Sequence, residues 1–295
     1  AVMAIGTMLS RITGFGRLVA LGFVMDYRSG LPDAYNLANN APNIVYELVL
    51  GGILSATLVP LFVKHFSTED EEGAWRSIST VFTLTVAVSI VVSTALFLAA
   101  PLIIDLYTIG STAADAGDQR RVATNLLRMF APQVAFYGFI SVATGVLQAR
   151  RRFGPPMFAP ILNNLTVIAM LLALPHVSRD LSLGAMRQDT AGMLFLGLGT
   201  TTGVAAMASL FWPYLRSTAS RRLRWHWDPR HAAVRTMIRM SGWTAGFVAA
   251  NQVALFVTLV LAKRQAGGVT AFLVAYTFFI LPHGILSVSV MSAMQ

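Results

Sequence analysis

Long stretches without a charged residue are the feature that most constrains this chain. Six of them reach the roughly 20 residues that a helix needs to cross a ~30 Å hydrocarbon core; they are residues 77–104, 129–149, 153–178, 190–215, 240–262 and 265–295. Period-two alternation in ~10-residue segments, which a membrane β-barrel requires, is absent. Only 12% of the residues are charged, about half the share in soluble domains, so the sequence predicts an all-α integral membrane protein.

Two further spans, predicted over residues 2–25 and 34–63, contain charged residues and bring the predicted number of transmembrane helices to about eight. Lysine and arginine are more frequent in the connections after even-numbered spans, with ten, than in those after odd-numbered spans, with seven. Basic residues favour the cytoplasmic side, so we expect a cytoplasmic N-terminus. Both ends of the sequence fall inside apolar spans, and we expect that it belongs to a longer protein.

A short internal repeat bears on the architecture. Residues 30–38 and 267–275 share the pattern G-x-x-x-A-(Y/F)-x-x-A, and each copy opens an even-numbered span. Since six spans separate the copies, both have the same orientation, which suggests two parallel six-helix bundles with a substrate site between them. We expect an N-terminal lobe over residues 1–215, a basic cytoplasmic loop over 216–232, and the start of a C-terminal lobe, truncated after its helices seven and eight, over 233–295.

Seven arginines lie in residues 216–239 together with Trp225 and Trp227. Such a mixture of basic and aromatic residues is also found in nucleic-acid-binding patches. Because the segment lies between two spans, we favour arginines on anionic headgroups and tryptophans at the membrane interface. We therefore expect membrane lipids, and no nucleic acid, as partners.

Arg11 and Arg17 lie inside the first predicted span. A charge in the hydrocarbon core costs about 2.5 to 3.5 kcal/mol on insertion scales, so each arginine needs a partner or a wet cavity. One alternative is a structural ion pair with Glu47 or Asp33. The other is a cavity for an anion, since a guanidinium binds phosphate oxygens through two parallel hydrogen bonds and therefore suits a diphosphate.

Four asparagines in the second span follow i, i+3, i+4, i+7 spacing and share one helix face; they are Asn36, Asn39, Asn40 and Asn43. A polar stripe in an apolar span either lines water or joins helices, and we favour the cavity. The predicted substrate-binding residues are Arg11, Arg17, Asp33, Asn36, Asn40, Asn43 and Asn251.

Enzymatic chemistry finds little support in this sequence. The five histidines are scattered, mostly at loops or span ends, and no span contains paired carboxylates or a cluster with metal-ligand spacing. Cysteine is absent, which excludes a disulfide framework and a thiolate metal site. We predict neither catalysis nor a cofactor or metal.

Several short motifs occur in a fixed order along the chain. They are S-R-I-T-G-F-G-R at residues 10–17, D-A-Y at 33–35, P-N at 42–43, G-I-L-S-A-T-L-V-P at 52–60, and R-F at 152–153 followed by P-M-F-A-P-I-L-N-N at 156–164. Their order and spacing resemble those of the MurJ/MviN family of lipid II flippases. The resemblance implies the multidrug/oligosaccharidyl-lipid/polysaccharide exporter fold. In that fold, two six-helix lobes surround a cationic cavity and work by alternating access in the bacterial inner membrane.

The resemblance also implies roles for individual residues. Arg11 and Arg17 match arginines expected to hold the substrate diphosphate, and Asp33 matches an important acidic position. The chain departs from the family where many members have two arginines, at Tyr46 and Glu47, and where they have an arginine in span eight, at Thr277. Some members bind a cytoplasmic regulatory partner through a C-terminal region that this chain does not contain.

The leading hypothesis is a flippase that carries an undecaprenyl-diphosphate-linked peptidoglycan precursor, lipid II, from the inner to the outer leaflet. One alternative is an exporter of the same fold for another lipid-linked oligosaccharide or a small molecule. The other is a membrane scaffold whose arginines only bind anionic lipid. Replacement of the intramembrane arginines by lysine separates the scaffold from the carriers, because lysine keeps the charge but loses the bidentate geometry.

Overall fold

The computed structural model describes residues 2–26, 29–47, 59–60, 62–63, 71–108, 116–219, 223–262, 265 and 267–280. These residues form helices and no strand. The helices are α1 (Val2–Met25), α2 (Leu31–Glu47), α3 (Glu71–Tyr107), α4 (Ala116–Phe130), α5 (Gln133–Ala149), α6 (Gly154–Val177), α7 (Leu183–Gln188), α8 (Thr190–Ala219), α9 (Ala232–Ala262) and α10 (Gly268–Ile280).

Five helical segments of the described chain are long and apolar enough to cross a membrane; they are Ile5–Met25, Glu72–Tyr107, Ala116–Ala149, Gly154–Val177 and Thr190–Ser217. Two shorter apolar helices, Gly246–Ala262 and Gly268–Ile280, coincide with predicted spans seven and eight. Helix α2 coincides with the start of span two, and most of the motif at residues 52–60 lies outside the described residues. The prediction of an all-α membrane protein is confirmed.

Helix α4 begins 13 residues before the predicted start of the fourth span at residue 129. Arg120 and Arg121 lie in its early turns, whereas Val122 and Leu126 are fully buried, so the helix is amphipathic. The buried side packs against α2, α3 and α8. A criterion based on uncharged length misses such a helix, because its charges lie on one face only.

Helix α6 packs most extensively against α8 and α1. The contact with α8 uses a glycine pair at i, i+4, Gly199 and Gly203, which brings the helix backbones close together. A Cβ at position 203 would lie 2.6 Å from the Asn163 Oδ1 atom and 2.9 Å from Val167. Glycine therefore fits this approach, whereas any larger residue requires the Asn163 and Val167 side chains to move.

Helices α9 and α10 contact the remainder of the bundle near both ends of α3. At one end, Ala233 and Val234 at the start of α9 join the buried cluster around Trp75. At the other, Leu259 and Val269 form a cluster with Tyr107. Helix α8 continues to Ala219 and α9 begins at Ala232, so the described basic loop is shorter than predicted, while the division into lobes stays a prediction.

Candidate functional site

A cavity of about 160 Å³ lies inside the bundle, among α1, α2, α5, α6 and α8. Its wall is largely polar and is formed by Arg17, Asn39, Asn43, Tyr46, Gln133, Tyr137, Pro160, Asn163, Thr200, Val204 and Met207. We call it the central cavity. Arg17 is the charged residue of this wall, so the central cavity is cationic.

Hydroxyl groups hold the Arg17 guanidinium in place. Its Nη2 atom donates to the Tyr35 hydroxyl at 3.1 Å. That hydroxyl lies 3.2 Å from Thr200 Oγ1, which in turn donates to the Leu196 carbonyl at 2.8 Å. Because each hydroxyl can donate to the next group, this series of hydrogen bonds leaves the Tyr35 oxygen as the acceptor for Arg17. The other guanidinium N–H groups have no acceptor among the described residues and can donate to a ligand.

Amide side chains form another part of the wall. Gln133 is fully buried, donates to Thr201 Oγ1 at 3.1 Å and accepts from the Tyr137 hydroxyl at 3.4 Å. The buried Asn163 Oδ1 atom has no hydrogen-bond partner among the described residues. Since buried polar atoms are normally paired, this oxygen is an acceptor for a polar group that enters the central cavity.

The asparagine stripe of α2 divides between two roles. Asn39 and Asn43 line the central cavity. Asn36 Nδ2 instead donates to Thr270 Oγ1 of α10 at 3.0 Å, and Asn40 Nδ2 donates to the Tyr107 hydroxyl of α3 at 2.9 Å. Two asparagines of the stripe therefore line a cavity and two join helices. Each of the two interpretations of the polar stripe applies to half of its residues.

Asp33 and Thr270, which occupy equivalent positions in the internal repeat, contact each other. Asp33 is buried, with 2% of the residue exposed, and its carboxylate accepts from the Thr270 backbone N–H at 2.9 Å and from its hydroxyl at 2.5 Å. Each copy starts with a glycine in the left-handed region, Gly30 at φ 72° and Gly267 at φ 73°. The repeat thus predicts two similar helix starts, and the structure brings them together.

The acidic residues that could pair with the intramembrane arginines have other partners. Asp33 binds Thr270, and Glu47 Oε2 accepts from Gln252 Nε2 at 2.6 Å. Within the described parts of the chain, neither carboxylate forms an ion pair with Arg11 or Arg17. The structure of the described residues therefore does not contain the ion pair of Arg11 or Arg17 with Asp33 or Glu47 that was one of the two alternatives from the sequence.

Arg11 and Asn251 lie away from the central cavity. Both are exposed, and Asn251 Nδ2 donates to the Phe247 carbonyl of its own helix at 3.1 Å. Arg11 lies one turn before Phe15, whose ring centroid is 5.2 Å from that of Phe278 on α10. It therefore lies on the side of α1 that approaches α10.

The structure thus separates the seven predicted residues into groups. Arg17 and Asn43 share the central cavity, Asp33 and Asn36 meet at Thr270, and the other three lie elsewhere; these are Arg11, Asn40 and Asn251. Their role in substrate binding stays a prediction. Sequence reasoning missed four polar wall or support residues, although each is a polar residue in or next to an apolar span: Tyr35, Gln133, Tyr137 and Thr200.

The two departures from the family pattern also have defined places. Tyr46 lines the central cavity, with its ring centroid 4.5 Å from that of Tyr137. Thr277 donates to the Leu273 carbonyl of its own helix at 2.8 Å. An aromatic hydroxyl therefore takes the place of one expected guanidinium in the cavity wall.

Long apolar helices packed around an interior cavity define the class as multi-pass α-helical membrane proteins. Comparison with known families gives the particular one. The family model of the lipid II flippase MurJ matches residues 28–294, and the chain belongs to that family. This confirms the resemblance found in the sequence motifs.

Individual relatives agree with this result. A probable lipid II flippase MurJ of Rhizobium tropici is 25% identical over 285 residues, which cover 96% of this chain and 51% of the relative. A solved lipid II flippase MurJ in an inward closed conformation matches with a TM-score of 0.75 at 20% identity, over 99% of this chain and 57% of that one.

An inward-facing multidrug resistance MATE family transporter of the MOP superfamily matches with a TM-score of 0.61 at 15% identity, over 96% of this chain and 59% of that chain. The chain thus spans about half the length of the proteins it matches. The exporter fold expected from the sequence is confirmed.

Proposed function

We propose that this protein is a flippase that moves an undecaprenyl-diphosphate-linked peptidoglycan precursor from the inner to the outer leaflet of a bacterial inner membrane. Membership of the MurJ family supports the cargo class. The positive-inside pattern supports a cytoplasmic N-terminus. The observation that carries the proposal is Arg17, a guanidinium held in the central cavity without a paired carboxylate among the described residues.

The central cavity suits a phosphate group for electrostatic reasons. A diphosphate that enters a low-dielectric cleft loses hydration, and charge-assisted hydrogen bonds of about 1.5 to 3 kcal/mol each replace it. Tyr35 orients one side of the Arg17 guanidinium, and the remaining N–H groups are available to phosphate oxygens. Asn39 and Asn43 add neutral amide groups, which can bind hydroxyl or phosphate oxygens of the cargo without further charge.

The second arginine, Arg11, would act outside the central cavity. It lies six residues before Arg17, roughly 9 Å along the axis and about 120° around α1. It is exposed on the side of α1 near α10. In this proposal Arg11 meets the cargo between α1 and α10, and Arg17 holds the diphosphate further inside.

Alternating access requires that the contacts between the predicted lobes open and close. The Asp33–Thr270 contact joins the first turns of α2 and α10. Asn43, in the cavity wall, is ten residues further along α2, or about 15 Å of helix. With a cytoplasmic N-terminus, this contact closes the outer side of the cleft, and its rupture would open the central cavity outward.

Complementation of a flippase-depleted bacterial strain tests this function. Arg17→Ala should abolish growth at normal protein level, and Arg17→Lys should restore it only in part, because the ammonium group lacks the bidentate geometry. The matched control is Arg187→Ala, since that arginine is paired with Asp118 at a surface. Normal growth of Arg17→Ala would refute the anion cavity and favour the scaffold.

A different lipid-linked oligosaccharide is the second candidate cargo. The observation that favours it is Tyr46, which stands in the cavity wall where many family members have an arginine. The two cargoes share the diphosphate and differ in the sugar. Transport of a peptidoglycan precursor and of an unrelated undecaprenyl-diphosphate oligosaccharide into proteoliposomes would separate them, and preference for the latter would replace the first candidate.

A further inference from the structure

We propose that one end of the bundle carries a binding surface for anionic phospholipid headgroups, built from arginines stacked on or placed beside tryptophans. This surface comprises Arg152, Trp212, Arg216, Ser217 and residues 223–231, and we call it the basic-aromatic face. It is separate from the central cavity, and the proposal does not depend on the transported cargo.

Two arginines at the opposite end of the bundle are paired with carboxylates. At the end away from the basic-aromatic face, Arg120 Nε lies 2.9 Å from Asp105 Oδ1. Arg187 Nη1 there lies 2.6 Å from Asp118 Oδ1. These exposed ion pairs neutralise Arg120 and Arg187 locally.

At the basic-aromatic face, arginines stack or bind neutral groups instead. The Arg216 guanidinium carbon lies 4.9 Å from the centroid of the Trp212 ring. Arg152 Nη1 donates to Ser217 Oγ at 3.0 Å. Neither arginine has a carboxylate within ion-pair distance in the described part of the chain. A stacked guanidinium keeps its charge and its edge N–H groups, which fit phosphate oxygens.

The segment before α9 adds two exposed tryptophans. Its backbone is fastened to α3, because the Arg224 N–H donates to Ser79 Oγ at 3.1 Å and the His226 N–H donates to Thr83 Oγ1 at 2.9 Å. Trp225 and Trp227 alternate with these residues and are each 63% exposed. Two large aromatic rings are thus held at the surface on a fixed backbone, as at membrane–water interfaces.

The contacts place these parts at the same end. Arg152 joins the start of α6 to the end of α8 through Ser217. Arg150, two residues earlier, lies with its guanidinium carbon 5.8 Å from the ring of Trp75 in the first turns of α3. The 223–231 segment lies along the following turns of α3, at Ser79 and Thr83. One contiguous surface therefore combines exposed cations with exposed indoles.

A phospholipid is the occupant that this combination fits best. The face lies at the ends of α3, α6 and α8, whose apolar segments are long enough to span a membrane. It is therefore at headgroup level when these helices are in a bilayer. Positive charge there attracts anionic headgroups over a Debye length, and the indoles add contacts at the boundary with the acyl chains.

Fluorescence quenching tests the proposal. The protein is placed in nanodiscs of phosphatidylcholine that contain a small fraction of brominated phosphatidylglycerol or, in parallel, brominated phosphatidylcholine. We expect stronger tryptophan quenching by the anionic lipid in the native protein. Each arginine near the surface contributes about a fivefold preference, so the double variant Arg152→Gln and Arg216→Gln should lose most of the difference.

The matched control is the double variant Arg120→Gln and Arg187→Gln, which should keep the preference because its arginines are ion-paired. A second control replaces Trp225 and Trp227 by Phe and should reduce the quenching itself. Equal quenching by both lipids in the native protein would overturn the proposal, as would an equal loss in both arginine double variants. Displacement of the anionic lipid by excess undecaprenyl diphosphate would assign the face to cargo capture instead and also overturn it.

Discussion

Replacement of Thr270 by Val is the sharpest probe of the contact between α2 and α10. The Thr270 hydroxyl donates to the Asp33 carboxylate at 2.5 Å and accepts from Asn36 Nδ2 at 3.0 Å. Valine has nearly the same shape and removes both hydrogen bonds. The backbone N–H of residue 270, which donates to Asp33 at 2.9 Å, is kept. The contact is therefore weakened but not abolished.

The expected magnitude follows from these bonds. A hydrogen bond to a charged group contributes about 1.5 to 3 kcal/mol, and here the Asp33 residue is 2% exposed, so solvent replaces the lost donor only after opening. If the contact holds the closed state, Thr270→Val raises the ratio of open to closed molecules about 10- to 150-fold. A rare open state should become readily detectable.

Distance measurement between spin labels provides the assay. The sequence contains no cysteine, so labels can be attached through Arg179→Cys and Gln265→Cys, both at exposed positions. Thr270→Val should add a population with a longer distance. Thr277→Val is the matched control on the same helix, because among the described residues that hydroxyl binds the Leu273 carbonyl alone. An unchanged distance distribution, or the same change in the control, would refute the closing role.

Three other changes have defined outcomes. Tyr35→Phe removes the acceptor that orients Arg17 and should slow transport about tenfold or more while leaving the amount of folded protein unchanged; a normal rate in proteoliposomes would contradict this. Gly203→Ala overpacks the contact with α6 and should destabilise the protein by about 1 to 3 kcal/mol, seen as a lower Tm, whereas Gly184→Ala, with open space around it, should not. The Asp189 carboxylate accepts the Gly192 backbone N–H in the first turn of α8, and this hydrogen bond lowers the pKa of the carboxyl group. The stabilisation of the helix start should be complete above the ordinary pKa of aspartate and should be lost as the pH falls through the lowered pKa. Hydrogen exchange of that turn that does not change with pH, after correction for the intrinsic rate, would exclude this cap.

The membrane-spanning elements were largely predictable because hydrocarbon demands long apolar helices. The uncharged runs locate α3, α6, α8, the C-terminal part of α9 and the whole of α10. The early turns of α4 were not predictable in this way, because Arg120 and Arg121 interrupt the apolar run. Only the neighbouring helices show that the opposite face of α4 is buried.

The candidate site was predictable in its chemistry but not in its geometry. Arg17 and Asn43 are unusual enough in apolar spans to indicate a cavity. Which arginine faces inward depends on how the helices cover α1, and the sequence spacing gives only the angle of about 120° between them. The support from Tyr35 and the separation of Asn36 and Asn40 from the central cavity are tertiary contacts, which periodicity cannot distinguish.

A direct measurement of cargo affinity tests most simply whether Arg17 binds the diphosphate of the cargo. Affinity for the undecaprenyl-diphosphate-linked peptidoglycan precursor can be determined by native mass spectrometry of the purified protein. We expect Arg17→Ala to weaken binding about 10- to 150-fold, the loss of one charge-assisted hydrogen bond, and Arg17→Lys to weaken it less. Arg187→Ala should bind like the native protein. Equal affinity of Arg17→Ala and the native protein would contradict the account.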